Sequence, residues 1–254
     1  MKPDDAIAGG GTDGRPTGAR IVLTGAMLLV AVVFLGLGTW QVQRLFWKLD
    51  LIERVEARIG AEPVPAPARP DWPGVTAAAD EYRKVTATGT FDHARETLVQ
   101  AVTELGAGFW VLTPLIQTDG GTILVNRGFL PADKRDPAFR VEGATQGPAR
   151  VTGLLRMSEP GGAFLRSNDP AGGRWYSRDV AAIASAQGLQ NVAPYFIDAD
   201  ATPNPGGLPV GGMTVVRFRN PHLVYAITWY VMAAMSLGAV FMLQRKRSAG
   251  DDNH

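Results

Sequence analysis

The chain has 254 residues, with 25 basic and 24 acidic side chains and a formal charge of +1. So even a balance excludes the basic stripe that a nucleic-acid binder needs, and no nucleic-acid partner is expected. There is no cysteine, which removes disulfides, thiolate catalysis, zinc–cysteine centres and cysteine copper shuttles.

Residues 1–20 form a short tail. Ile21–Val42 holds no charged side chain, and neither does His222–Gln244. About 22 residues of helix cross a hydrocarbon core of roughly 30 Å, so both runs read as membrane spans with the lipid bilayer as their partner. A cleaved signal peptide has a shorter apolar region and a small-x-small cleavage site. Ile21–Val42 instead runs straight into Trp40-Gln41-Val42-Gln43-Arg44 and reads as an uncleaved anchor.

The first helix should continue past the membrane as an amphipathic segment to residue 59. No glycine or proline interrupts Trp40–Ile59, and Leu45, Leu49, Ile52, Val55 and Ile59 recur at helical spacing before Gly60 ends it. Residues 60–80 follow as a proline-rich linker, with five prolines from Pro63 to Pro73, expected to be extended and semi-rigid.

From 81 to 219 the period changes to two. Tyr82–Phe91, Thr97–Val102, Phe109–Gln117, Thr122–Phe129, Ala149–Arg156 and Tyr195–Asp198 read as strands, with Asp119-Gly120-Gly121 as a hairpin turn. One helix is expected at about Asp179–Gln187. The second span occupies 222–244, with Asn220 as N-cap and Pro221 at the first helical position, and 245–254 is a polar tail. The fold class is therefore an α+β membrane protein: two transmembrane helices flank a mostly antiparallel β extramembrane domain with a minor helix. Strand order is open.

Basic residues lie beside both ends of both spans: Lys2, Arg15, Arg20, Arg245, Lys246 and Arg247 on one side, and Arg44, Lys48, Arg54, Arg58, Arg217 and Arg219 on the other. Long domains translocate largely regardless of charge, so the short tails decide the orientation. Both termini are placed in the cytoplasm and the β domain across the membrane.

Three histidines are present. His254 ends the tail, and His93 falls in a turn where a solvated role suffices. His222 sits where the second helix leaves water, and a helix N-terminus disfavours the imidazolium, leaving a neutral ring that can bind a metal. Tyr225 and Trp229 follow it at helical spacing. Trp40, Arg44, Trp47 and Lys48 form a matching stripe where the first helix emerges. Two readings stay open. The residues suit a flat apolar ligand such as a haem, its propionates meeting the cations; or they are an interfacial aromatic belt with snorkelling cations. Asn126-Arg127-Gly128 either binds an anion or is structural, and Arg174–Asp179 is either a partner surface or a strand leading into a capped helix. No hydrolase elbow, zinc-protease, P-loop or dinucleotide motif is present, so no enzymatic activity and no catalytic residue is expected.

The block Gly38-Thr39-Trp40-Gln41-Val42-Gln43-Arg44-Leu45-Phe46-Trp47-Lys48 resembles the Surfeit locus protein 1 (Shy) family. So do Leu124-Val125-Asn126-Arg127-Gly128-Phe129, Trp175-Tyr176-Ser177-Arg178-Asp179, Phe196-Ile197-Asp198-Ala199, and the stretch Arg219-Asn220-Pro221-His222-Leu223-Val224-Tyr225-Ala226-Ile227-Thr228-Trp229-Tyr230. The resemblance implies a membrane-bound assembly factor for cytochrome c oxidase, with the β domain in a periplasm or intermembrane space. It implies haem a as transiently bound cargo, with His222 as the iron ligand. The expected partners are the oxidase catalytic subunit, haem a synthase and, in a homo-oligomer, further copies of the chain. An alternative is a tethered scaffold that holds an assembly intermediate by protein contacts, without a specific haem role. Members often carry a glutamine two residues after the histidine; Val224 stands here, so a hydrogen bond from that glutamine is expected to be absent. The tail, with Asp4, Asp5 and Asp13, does not look like a transit peptide, which favours a bacterial inner-membrane protein.

Overall fold

A computed structural model of the chain describes residues 17–163, 165–214, 216, 218 and 220–251. The readings resting on residues 1–16, on Arg217 and Arg219 and on His254 lie outside the described residues. The chain forms two compact units: one from Ile52 to Arg217, the other from the segments on either side of it.

Helix α1 runs over Thr17–Gly60, as far as Leu51 in the second of these units, which also holds helix α4 over His222–Asp251. Both are long and apolar enough to cross a membrane, and they anchor the chain there. They pack against each other in opposite directions through small residues: Ala31, Ala226 and Ala233 are buried, as is Gly38. A Cβ at Gly38 would stand 2.8 Å from Cε1 of Tyr230, so only glycine lets the ring lie across α1 there. Such close approach is how helices associate in lipid, where no hydrophobic force pushes them together. The start of α4 is one residue later than expected. Pro221 O accepts the first intrahelical bond from Tyr225 N–H at 3.3 Å, so Pro221 rather than Asn220 is the N-cap. Asn220 Oδ1 is enclosed and has no hydrogen-bond partner among the described residues.

The other unit is a sheet that closes on itself. Its strands are β1 (Val64–Pro65), β2 (Lys84–Phe91), β3 (Thr97–Thr103), β4 (Gly106–Ile116), β5 (Thr122–Pro131), β6 (Pro148–Met157) and β7 (Val192–Ala199). The order is β1-β2-β6-β7-β5-β4-β3, and β2 pairs with β4 as well, so β2, β6, β7, β5 and β4 form a ring. Pairing is antiparallel except for β1–β2 and β5–β7. Closure happens at the end of β2, where Thr90, still paired with Pro148 of β6, and Phe91 pair on the other edge with Ile116 and Leu115 of β4. A Cβ on Gly89 would lie 2.4 Å from Ile116 O, so the strands can meet only because that side chain is missing.

Alternation along the strands fills both faces. Val85, Ala87, Leu115, Ile123, Val125, Val151, Leu155, Tyr195 and Ile197 make the inner core. The outer face of β4, β5 and β7 carries Leu112, Leu124 and Phe196, covered by Trp175 and by Val180 and Ile183 of helix α3 (Val180–Ala186). Each such aliphatic side chain contributes about 1.5–3 kcal/mol on full burial. The proline-rich segment is seated on this sheet. Ala66 N–H donates to Thr86 O, Trp72 packs on the inner core, and both Trp72 Nε1 and the Tyr195 hydroxyl donate to Pro67 O. Burial raises the Tyr195 hydroxyl above its ordinary pKa. Beyond it, Ala77–Asp80 forms the short helix α2, and Ala78 O and the C-capping Glu81 O accept from Arg58.

Candidate functional site

The membrane unit brings His222 against α1. Its Nδ1 lies 2.7 Å from Gln41 Oε1. An amide oxygen can only accept, so Nδ1 carries the hydrogen, and in the neutral form of the ring the lone pair is on Nε2. Among the described residues Nε2 has no hydrogen-bond partner. A ring whose far nitrogen is fixed by a neutral acceptor is the arrangement in which histidine binds metals.

The helical rotation of about 100° per residue sorts the other residues around this contact. With Gln41 facing α4 and His222 facing α1, Trp40 and Arg44 turn to the same flank of the antiparallel pair as Tyr225, with Trp47 further round. Trp40, Trp47 and Tyr225 are each about half exposed, and the Arg44 guanidinium lies 4.8 Å from the Trp47 ring centre. The opposite flank is closed by Tyr230, which crosses Gly38 and puts its hydroxyl 3.2 Å from Thr39 Oγ1. Trp229 turns inward and stacks on Phe34, with centroids 5.5 Å apart. Lys48 Nζ lies 5.1 Å from the ring of Phe218. Of the seven side chains singled out in the sequence, Trp229 therefore joins the interhelical packing, and Lys48 lies against Phe218 in the segment before α4. Trp40, Arg44, Trp47 and Tyr225 present one open aromatic and cationic flank beside His222.

The sequence blocks from the middle of the chain meet elsewhere, inside the β unit. Asp198 on β7, 2% exposed, accepts from Asn126 Nδ2 (2.7 Å), from Arg156 Nη1 (3.0 Å) and from Arg178 Nη1 (3.0 and 3.2 Å). Arg178 also clamps Glu159 with Nε and Nη2, at 3.0 and 2.6 Å. Burial alone would lower the Arg178 pKa, but Asp198 and Glu159 outweigh it and raise it. Arg178 to Asp179 therefore lead from this network into α3, where Asp179 caps the helix by accepting from Ala182 N–H at 3.1 Å. His93 is half-buried rather than solvated: its Nε2 is 3.0 Å from Thr145 O and its ring tilts against Phe91.

The sequence model of the SURF1 family matches residues 28–234. Surfeit locus protein 1 of Homo sapiens is 41% identical over 225 residues, which is 82% of this chain and 73% of the human protein. The chain belongs to the SURF1 family. The SURF1-like protein of Monosiga brevicollis is 40% identical over 235 residues, 87% of each chain, and Surfeit locus protein 1 of Rattus norvegicus is 39% identical over 240 residues, 88% of this chain and 76% of the rat protein.

Gln41 is the residue that the sequence did not single out. It stood inside a quoted block as one of two glutamines at the end of an apolar run, and only the pairing of the helices shows which one meets His222. The structure also accounts for Val224. A residue two positions after His222 is turned about 200° away around the helix, and Val224 is exposed. The acceptor for the histidine therefore comes from α1.

Proposed function

We propose that this chain is an assembly factor for cytochrome c oxidase that binds haem a and delivers or stabilises it during insertion into the catalytic subunit. Membership of the SURF1 family indicates the role in oxidase assembly. The observation that carries the haem reading is His222, with Nδ1 held by Gln41 and Nε2 free at the start of a membrane-spanning helix. In this reading His222 takes the iron. Trp40, Trp47 and Tyr225 cover the ring from the open flank, and Arg44 meets a propionate. Trp229 and Lys48 support the site through their contacts with Phe34 and Phe218.

The open flank suits a cargo that must leave. One axial histidine on a two-helix support holds a macrocycle on one side only, and its other side faces lipid, a further copy of the chain or the receiving subunit. Haem a carries an apolar tail, so a carrier between its synthase and the oxidase needs helices in the bilayer. We place the protein in a bacterial inner membrane, with both termini cytoplasmic and the β unit periplasmic.

The test is co-expression with the enzymes of haem a synthesis, followed by the absorption spectrum of the purified protein. His222→Ala should lose stoichiometric haem and slow oxidase maturation. Full haem content and normal maturation in that variant would leave only the scaffold reading, in which oxidase intermediates are held by protein contacts.

A further inference from the structure

The open flank of the helix pair does not end at the level of His222. Deeper in the span, Ala26, Met27 and Val30 of α1 and Met235, Ser236 and Ala239 of α4 line a groove of about 380 Å³. Ala26, Val30 and Met235 are exposed and the other three are half-buried, so the groove opens toward lipid. The hydroxyl of Ser236 is spent within α4, donating to Met232 O at 2.9 Å. An empty slot of this kind forfeits dispersion contacts along both walls, and packing is what joins apolar groups inside a bilayer. Its occupant is therefore a hydrocarbon chain. At roughly 30 Å³ for a group the size of a water, the groove takes about a dozen carbons.

Helical rotation places this groove on the flank already described. Ala26 precedes Arg44 by 18 residues, which is about five whole turns, so both leave α1 in the same direction. Ser236 follows Tyr225 by 11 residues, about three turns, so both leave α4 in the same direction. The depth follows from the rise along each axis. Val30 lies about 16 Å below Gln41, and Ala239 about 26 Å below His222, at 1.5 Å per residue. The groove thus continues the His222 flank downward, away from the water-facing end.

We propose that the groove holds the isoprenoid tail of the haem whose iron is bound by His222. This rests on the haem reading of that histidine. With the propionates at Arg44 beside water, the opposite edge of the ring points into the bilayer. A sesquiterpene tail leaving that edge runs down the same flank and, when extended, reaches the depth of Ala26 and Ser236. The groove then makes the carrier selective for a tailed haem, which a single histidine and an arginine do not: iron and propionates are common to all haems. Because the tail leaves one apolar surrounding for another, its preference is set by packing alone and is modest.

The probes are haem o, which has the tail but no formyl group, and haem b, which has neither, titrated into the full chain in phosphatidylcholine nanodiscs. Ligation is read from the Soret shift, against the same haem dissolved in empty nanodiscs. Haem o should half-saturate the protein at about three- to tenfold lower concentration than haem b. Ala26→Leu and Ser236→Leu fill the slot from either helix without touching His222 or Gln41. Each should bring haem o down to the affinity of haem b and leave haem b unchanged. Ala234→Leu adds the same volume nine residues after Tyr225, about two and a half turns and hence on the other flank, and should change neither. Equal affinities for the two haems in wild type overturn the proposal while the His222 site stands. So does a preference that survives in Ala26→Leu and Ser236→Leu, since a lipid chain then fills the groove, and so does equal weakening of both haems, which marks disturbed helix pairing. A Soret shift that persists undiminished in His222→Ala removes the haem reading itself, and this proposal with it.

Discussion

Asp198 and His222 both lie in sequence blocks that carry the family resemblance, and both meet partners from distant parts of the chain, but their surroundings differ in kind. Around Asp198 the donors of Asn126, Arg156 and Arg178 close on the carboxylate, and Glu159 holds the far edge of Arg178. Around His222 a single bond to Gln41 fixes one ring nitrogen and leaves the other without a partner among the described residues. The first arrangement is an ionic network that holds β5, β6, β7 and the approach to α3 in register. The second has bonding capacity to spare. Capacity that the fold leaves open, rather than motif membership, separates a binding residue from a structural one.

The comparison breaks first at Asp198. Asp198→Ala takes the shared acceptor from two largely buried guanidinium groups and leaves them only Glu159 and, for Arg156, Glu81, so the loss should be about 3 kcal/mol, the low end for a broken buried pair, read as a fall in the unfolding midpoint of the purified chain. Haem content per folded molecule should stay unchanged, because the two clusters share no residue. A loss below about 1 kcal/mol would mean that water repairs the network and that its closed character is unimportant.

The helix pair is the next most sensitive point. Gly38→Val puts a branched side chain into the Tyr230 ring, and overpacking of this kind costs about 1–3 kcal/mol. The β unit should keep its unfolding midpoint while haem content falls, because the pairing of Gln41 with His222 depends on that close approach. Equal haem content in Gly38→Val and wild type would show that the two helices need not meet for the site to work.

How much of this was legible beforehand follows from the range of each interaction. The two spans, the extension of α1 to Gly60, six strands and α3 came from periodicity and glycine or proline punctuation, which act over a few residues. Ring closure was not legible, because it depends on the end of β2 meeting β4 beside Gly89, a contact between residues with no shared local pattern. The seating of the proline-rich segment was missed for the same reason: Pro67 O meets Tyr195 across 128 positions. In the site, His222 was legible from its placement at a membrane boundary. Gln41 was not, since helical spacing orders residues on one helix but says nothing of how two helices rotate against each other. The same limit hid the inward role of Trp229.

Gln41→Leu sharpens the contrast without disturbing either fold. It removes the acceptor that orients the imidazole, and loss of such an orienting partner typically weakens a metal ligand about 10–100-fold. The measurement is haem retention of the purified variant against a competing apo-acceptor. Unfolding midpoints should match wild type, because Gln41 is only partly buried and its bond is a single one. Undiminished retention would show that His222 needs no second helix to present Nε2.

The smallest expected effect is the most discriminating. The family resemblance leads to the expectation that a glutamine at position 224 would bond the histidine. The geometry of α4 argues otherwise: position 224 is turned to the far side of the helix from His222, and its side chain is 67% exposed. A glutamine at 224 cannot reach the nitrogen that Gln41 already holds, so Val224→Gln alone should change haem retention by less than about twofold. The double variant Gln41→Leu with Val224→Gln should be as weak as Gln41→Leu. Rescue in the double variant would require α4 to rotate or His222 to leave its rotamer, and the acceptor role would then pass from α1 to α4 itself. The open capacity of the imidazole would in that case be a property of one helix, and the pairing of the two would serve only to anchor the chain.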